Sequence, residues 1–305
     1  RQFALFCNVV YGQRWAGWSA TRNDVFAALK NLRADMNEFP PLFAQRFYGE
    51  SGGNNMISKD VFAHVRHLDF DYLPGSVVTI REKALQGCAA ITRMHLPFKL
   101  KTISEYAFSS TGLKEIDIPE SVNAIYHSAF MDCKDLERVT IRSVTLDHID
   151  DFCFYGCNNL KEITIPPTIE RIDSGAFFSC ASLSHLRLPE ALESIAYRAF
   201  KNCIGLQTIE WNEKLHTIDA CGFEHCRSLT TVMLPTSVNN LQYRAFFGCT
   251  SLFSVDQMPQ PPSPPELRRI LGVTEIPNKC FKKCSSLVTA PLIRTATHIG
   301  ASAFY

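Results

Sequence analysis

The chain has 305 residues, 46% of them hydrophobic and 20% charged, with a net charge of +1. This balance describes a foldable soluble protein rather than a disordered one, and offers no broad basic field for nucleic acid or an anionic membrane. No run of 18 apolar residues occurs, so the sequence contains no transmembrane helix.

Residues 1–64 follow no fixed period. "FALFCNVVY" is too short to span a bilayer, and no small-residue cleavage site follows it. The first residue is Arg1, and the closing "ASAFY" stops inside a phrase repeated upstream, so the natural protein is expected to continue. "TRNDVFAALKNLRADM" predicts an amphipathic helix, with Asn23 and Asp24 as cap candidates and Val25, Ala28, Leu29 and Leu32 on one face. "EFPPLFAQRF" predicts a second helix with Pro in its first turn. "ESGGNN" reads as a loop and "SKDVFAHV" as a third helix. Together they predict a helical N-terminal cap or small domain, with Trp15 and Trp18 packing inside it.

From residue 65 one phrase recurs: I-x-x-x-A-F-x-x-C-x-x-L-x-x-I-x-I-P. Cys157, Cys180, Cys203, Cys226 and Cys249 are each 23 residues apart. A fixed period of this size marks a stacked array, because one repeat cannot bury its own apolar side. The aromatic slot holds Leu85 and then Phe108, Phe130, Phe154, Phe177, Phe200, Phe223, Phe246, Phe281 and Phe304, which predicts a continuous Phe spine. L-x-x-I-x-I predicts a short strand, with copies pairing in parallel at about 4.8 Å to give a sheet on the order of 45 Å long. Pro119, Pro166, Pro189 and Pro235 follow that strand, where no ladder amide is lost. The A-F-x-x-C part turns the chain back.

This signature resembles the BspA-type leucine-rich repeat over roughly Val65 to Tyr305. It departs at "AFSSTGLKEIDIP", which lacks the Cys and is one residue short, at "IRSVTLDHI", which lacks the Pro and is one residue long, and at "LVTAPLIRTATHI". The resemblance implies protein–protein interaction or, in some members, cell-surface adhesion, and no enzyme activity. The expected fold class is an α+β repeat: a leucine-rich-repeat solenoid with a stacked parallel sheet and a short helical N-terminal cap. The expected domains are residues 1–64 as the cap and 65–305 as the repeats, with a Pro-rich insert at 260–271.

Eight of the 12 cysteines fill the ladder slot; Cys153 and Cys280 replace the Ala of A-F, Cys221 precedes a Gly, and Cys7 lies outside the array. In-register stacking gives each ladder Cys two equal neighbours and no unique disulfide partner, so small buried thiols are expected, with a lean toward a reducing intracellular compartment and the cell surface as the alternative. Cys153/Cys157 and Cys280/Cys284 have C-x-x-x-C spacing, but the repeat accounts for both pairs, and no metal is expected. His225 beside Cys226 lacks an implied orienting group, and no phosphate-binding, hydrolase or metalloprotease motif occurs; neither cofactor nor catalysis is expected.

On each strand two positions point outward. The first row, through Arg93, Glu115, Arg138 and Glu162, alternates in sign and predicts cross-strand ion pairs rather than a phosphate-binding face. Later strands lose this pattern at Thr208, Thr231, Ser254 and Thr289. The second row runs through Arg187, Glu210, Met233 and Asp256 to Pro291, with Phe253 nearby. "QPPSPPELRRILG" is inserted beside them: Pro259 to Val273 is 14 residues, where Pro235 to Val238 is 3. Solenoid insertions map to loops on one face, often the binding face. The candidate partner-binding residues are therefore Arg187, Glu210, Met233, Phe253, Asp256, Pro261, Pro262, Pro264 and Pro265, for a protein partner and neither nucleic acid nor membrane. The alternatives are a structural subunit of a larger assembly or a cell-surface adhesin. The oligomeric state is left open.

Overall fold

The computed structural model describes residues 75–257, 272–291 and 296–304, together with 56, 57, 63, 71 and 73. The described chain is a parallel β-solenoid with two strand ladders per repeat, one more than the sequence pattern predicts. The long strands come from L-x-x-I-x-I: Glu115–Ile118, Arg138–Ile141, Glu162–Thr164, His185–Arg187, Thr208–Glu210, Thr231–Leu234 and Ser254–Gln257. The short strands end on the opening apolar residue of each repeat, as in Thr102–Ile103, His148–Ile149, Ser194–Ile195 and Asn240–Leu241. Every pairing is parallel and joins equivalent positions of neighbouring repeats, such as Ile195 with Ile218 and Leu186 with Ile209. The register is pinned because a one-residue slip would turn the buried Ile and Leu side chains outward.

The A-F-x-x-C segment forms a third wall made of turns. The third and seventh residues after the opening apolar residue hold left-handed backbone, with φ between +52° and +72° from Lys83 and Gly87 to Lys279 and Lys283. Each aromatic-slot amide then donates to the carbonyl just before the same slot in the next repeat. Phe130 bonds the Cys153 carbonyl at 2.9 Å and Phe200 the Gly222 carbonyl at 2.8 Å. The amides flanking these close tight turns within their own repeat, as Lys201 does to the Arg198 carbonyl at 3.0 Å, so backbone groups are satisfied by turns and by neighbouring repeats, not along a helix.

This overturns the α+β expectation. No α-helix occurs among the described residues, because two left-handed residues per repeat interrupt any i to i−4 ladder. The helical N-terminal cap fails where the structure can test it. Met56–Ile57, inside the segment assigned to the cap, is a strand that pairs with Thr79–Ile80. Ile57 stands 23 residues before Ile80, and Val61-Phe62 stand at the A-F slot; Val at the Ala position hid the period. The other helices expected before residue 56 lie outside the described residues, as does most of "SKDVFAHV".

The core is one continuous cluster running the length of the array. Its axis is the Phe spine: rings from Phe108 to Phe304 stack with centroids 5.1–5.6 Å apart and planes within 2–13°. Seven thiols run beside it. Cys133, Cys157, Cys180, Cys203, Cys226, Cys249 and Cys284 each donate to the carbonyl of the spine Phe one repeat back, at 3.0–3.3 Å. All eleven described cysteines are buried thiols, none in a disulfide. Burial raises the Cys133 thiol to about 11 and the Cys203 thiol to about 12. In the short repeat Thr111 takes the thiol's slot, donating to the Phe108 carbonyl at 2.9 Å and lying 3.2 Å from Cys133 Sγ.

Candidate functional site

The long strands alternate exposed and buried residues, so their outward side chains form two rows across the array. Glu115, Arg138 and Glu162 are in register, and Arg138 Nη2 donates to Glu115 Oε2 at 2.9 Å, the ion pairing expected of the first row. Farther along, the row becomes Thr208, Thr231, Ser254 and Thr289. Thr231 pairs with Ser254, and Thr289 Oγ1 donates to Ser254 Oγ at 2.8 Å. This sector presents hydroxyls in place of charges.

The second row brings the described candidate residues together. Arg187 pairs in register with Glu210, and Met233 with Asp256. Arg187 Nε and Glu210 Oε2 are 3.7 Å apart with both side chains open to solvent, a loose pair that holds neither in place. Met233 is exposed, and Phe253, just before the strand Ser254–Gln257, is 51% exposed. Val288 takes the same slot in the next repeat, its amide donating to the Phe253 carbonyl at 3.0 Å, and is 71% exposed. Val288 extends the apolar edge and was not among the residues singled out from the sequence, although both residues directly follow the repeat's Leu. Pro261, Pro262, Pro264 and Pro265 lie outside the described residues. The insert leaves after the strand Ser254–Gln257, beside the Met233–Asp256 rung, and the array resumes at the buried Val273.

A cleft of about 670 Å³ opens at the end of the Arg187 and Glu210 strands, lined also by Glu190, Trp211, Asn212 and Lys214. Trp211 replaces the inner Ile or Leu that closes other long strands, and its ring meets Phe223 edge-on at 5.7 Å. Lys214 stands where Thr168 and Ser237 reach back to a carbonyl of the preceding repeat. Asn212 does that work instead, donating Nδ2 to the Leu192 carbonyl at 2.7 Å and leaving Oδ1 buried without a partner. The signal was "WNEKL" where other repeats read "LPEAL" or "LPTSV".

The other chemistries have specific geometry. Cys226 faces the core and donates to Phe200, whereas His225 lies across Phe247 with Nε2 3.7 Å from Glu224 Oε1; the two do not converge on a common point. Cys157 and Cys284 are likewise committed to Phe carbonyls. Among the described residues one group could hold a cation: His148, Asp150 and Asp173 place ligand atoms within 4.8 Å of one another. Arg171 already supplies counter-charge there, its Nε 3.5 Å from Asp173 Oδ1. Burial nonetheless raises the Asp173 pKa. No described helix is long and apolar enough to cross a membrane.

The family model for the BspA type leucine rich repeat region matches residues 55–183, 147–260 and 268–305 in six copies. No curated protein matches. A leucine-rich repeat protein from Bacteroides ovatus is similar at 25% identity and TM-score 0.65, over 82% of this chain and 61% of that one. A leucine rich cell surface protein from Faecalibacterium prausnitzii is similar at 26% identity and TM-score 0.50, over 76% of this chain and 62% of that one. The chain therefore spans about three fifths of the length of these two proteins. A leucine-rich repeat protein from Eubacterium ventriosum, 20% identical with TM-score 0.50 over 82% of this chain and 79% of that one, shares the fold. With its repeats matched over 55–260 and 268–305 and its Phe and Cys ladders built as their spacing demands, the chain belongs to the BspA-type leucine-rich repeat family.

Proposed function

We propose that the chain is a non-catalytic interaction solenoid that binds a protein partner on the C-terminal half of its long-strand face and on the adjacent Pro-rich insert. The observation that carries this reading is the change along that face. Ion-paired rungs at Glu115 and Arg138 give way to hydroxyls, Met233, and the exposed pair Phe253 and Val288. An uncharged, partly apolar sector suits the centre of a protein interface, with Arg187, Glu210 and Asp256 as its polar rim. The prolines of the insert reduce the entropy lost on docking.

The test is capture of partners by the intact chain, then affinity measurement with Phe253→Ala, Arg187→Ala and the insert trimmed to repeat length. Loss of a hot spot is expected to cost roughly 2 kcal/mol, near thirtyfold in Kd. If all three variants fold and bind like the parent while Trp15→Ala or Trp18→Ala abolishes binding, the site belongs to the N-terminal segment and this reading is wrong.

A further inference from the structure

The turn wall carries a charge pattern that neither the family nor the proposed partner face accounts for. Its seven positions per repeat run from the residue after the opening apolar residue to the second left-handed residue. In the five repeats opened by Ile80, Ile103, Ile125, Ile149 and Ile172, these positions hold Glu105, Asp132, Asp150, Asp151 and Asp173; the first repeat adds Arg81, Glu82 and Lys83, leaving a formal −4. In the four repeats opened by Ile195, Ile218, Leu241 and Ile276 they hold Arg198, Lys201, Arg244, Lys279, Lys282 and Lys283 against Asp219 and Glu224, a formal +4. A chain of net charge +1 thus has one wall split into an acidic and a basic half of equal size.

Two features make this wall more than a solvated face. Tyr126, Phe152, Tyr197 and Tyr243 lie along it, two in each half, each 39–43% exposed. Four of the six cations, Arg198, Arg244, Lys279 and Lys283, stand at left-handed positions, where Gly or Asn would be held at lower cost. In the basic half the acids are recessed: Glu224 is buried between Lys201 and Arg244, at 2.9 and 3.5 Å, and Asp219 is half-buried. Arg198 lies over the exposed Tyr197 ring, 4.6 Å from its centroid, and Arg244 over the buried Phe247 ring at 4.1 Å.

We infer that the turn wall docks against the turn wall of a second copy of this chain, antiparallel, about a two-fold axis between the Ile172 and Ile195 repeats. That arrangement lays the Ile172, Ile125 and Ile103 repeats, a formal −1 each, on the Ile195, Leu241 and Ile276 repeats, at +2, +1 and +3, twice over, as a self-complementary two-fold interface requires. The acidic Ile149 repeat meets the Ile218 repeat, whose Glu224 is already neutralised between Lys201 and Arg244. Tyr126, in the Ile125 repeat, then faces Arg244 in the Leu241 repeat of the other copy, where a cation–π contact can form. Nine rungs at about 4.8 Å give a wall on the order of 40 Å long, and with seven residues in tight turns roughly 15–20 Å across it approaches the ~800 Å² per partner of a stable interface. The long-strand face stays open, so the inference is independent of the proposed partner site.

The test is sedimentation velocity of the full chain. At about 20 mM salt a concentration-dependent dimer is expected, with Kd raised at least tenfold at about 0.5 M, where screening acts over a few Å. A chain that stays monomeric at low salt, or a dimer indifferent to salt, overturns the inference. Charge swapping supplies the second arm. Lys279→Glu with Lys283→Glu makes the wall uniformly more acidic; Glu105→Lys with Asp132→Lys shifts it the other way. Each double variant alone is expected to be monomeric, and an equimolar mixture to recover a dimer. Dimerisation of either variant alone as tightly as the parent, or no dimer in the mixture, overturns the inference.

Discussion

The ladder cysteine is a small apolar filler that also donates a hydrogen bond, and this combination explains its recurrence. Its thiol fits beside the Phe stack and satisfies a Phe carbonyl of the preceding repeat, as in Cys203 to Phe177 at 3.1 Å. Thr111 shows that a hydroxyl can take the slot, at the expense of turning to its own repeat's carbonyl. The residue that departs most from this economy is Glu224, a carboxylate only 2% exposed. Burial alone would raise its pKa, but hydrogen bonds from Lys201 and Cys221 and the charges of Lys201 and Arg244 outweigh that and hold it below the usual range. A depressed carboxylate contributes stability that is complete above its unfolded pKa and is lost as pH falls through the folded one. Glu224→Gln is therefore expected to destabilise by about 1–3 kcal/mol at neutral pH. In urea unfolding the gap from the parent should close as the pH falls below the usual carboxylate range. A gap that stays constant down to about pH 2 would show that shape, not charge, makes the contribution.

At the scale of the element, the turn wall decides what the repeat becomes. A-F-x-x-C is short and apolar enough to suggest a helix or a plain loop. It is neither, because left-handed residues recur four apart and alternate amides go to the next repeat while those between them close tight turns within their own. Ser179, at φ +62°, illustrates the cost. Ser179→Gly is expected to leave stability unchanged or raise it by up to about 1 kcal/mol, and Ser179→Val to lower it by about 1–2 kcal/mol, read from thermal and urea unfolding. Equal effects of the two substitutions would mean that the turn relaxes freely. The long strand and the Phe slot were legible because side-chain period and burial are properties of the local pattern. The short strand was not: two residues are too few for periodicity, and Thr102–Ile103 pairs only because stacked neighbours hold it in register. Val288 was missed for a related reason, since a lone Val after Leu is unremarkable until the fold sets it beside Phe253.

At the scale of the whole molecule, energy is shared between neighbours. Each Phe ring touches the rings one repeat before and after, so a change propagates along one dimension and fades. Phe177→Ala is expected to cost about 3–5 kcal/mol. Hydrogen exchange should rise in the repeats of Phe154, Phe177 and Phe200, while amides around Phe281 keep their protection. Uniform loss of protection from Phe108 to Phe281 would show a single cooperative unit instead.

The sequence by itself determined the repeat, its length, the Phe and Cys ladders and the outward rows of the long strands. These follow from a fixed period combined with the requirement that each repeat bury one apolar side against its neighbours. Only the tertiary structure decided that there are two strand ladders and a turn wall with no helix, and that the array already includes Met56–Ile57. It also set Val288 beside Phe253 at the edge of the face whose rows the sequence predicts. Arg187, Glu210, Met233 and Asp256 fall on successive rungs of one row because stacking places equivalent positions side by side. The acidic and basic halves of the turn wall come together by the same rule, since charges about 23 residues apart in the chain become neighbours only once their repeats are stacked.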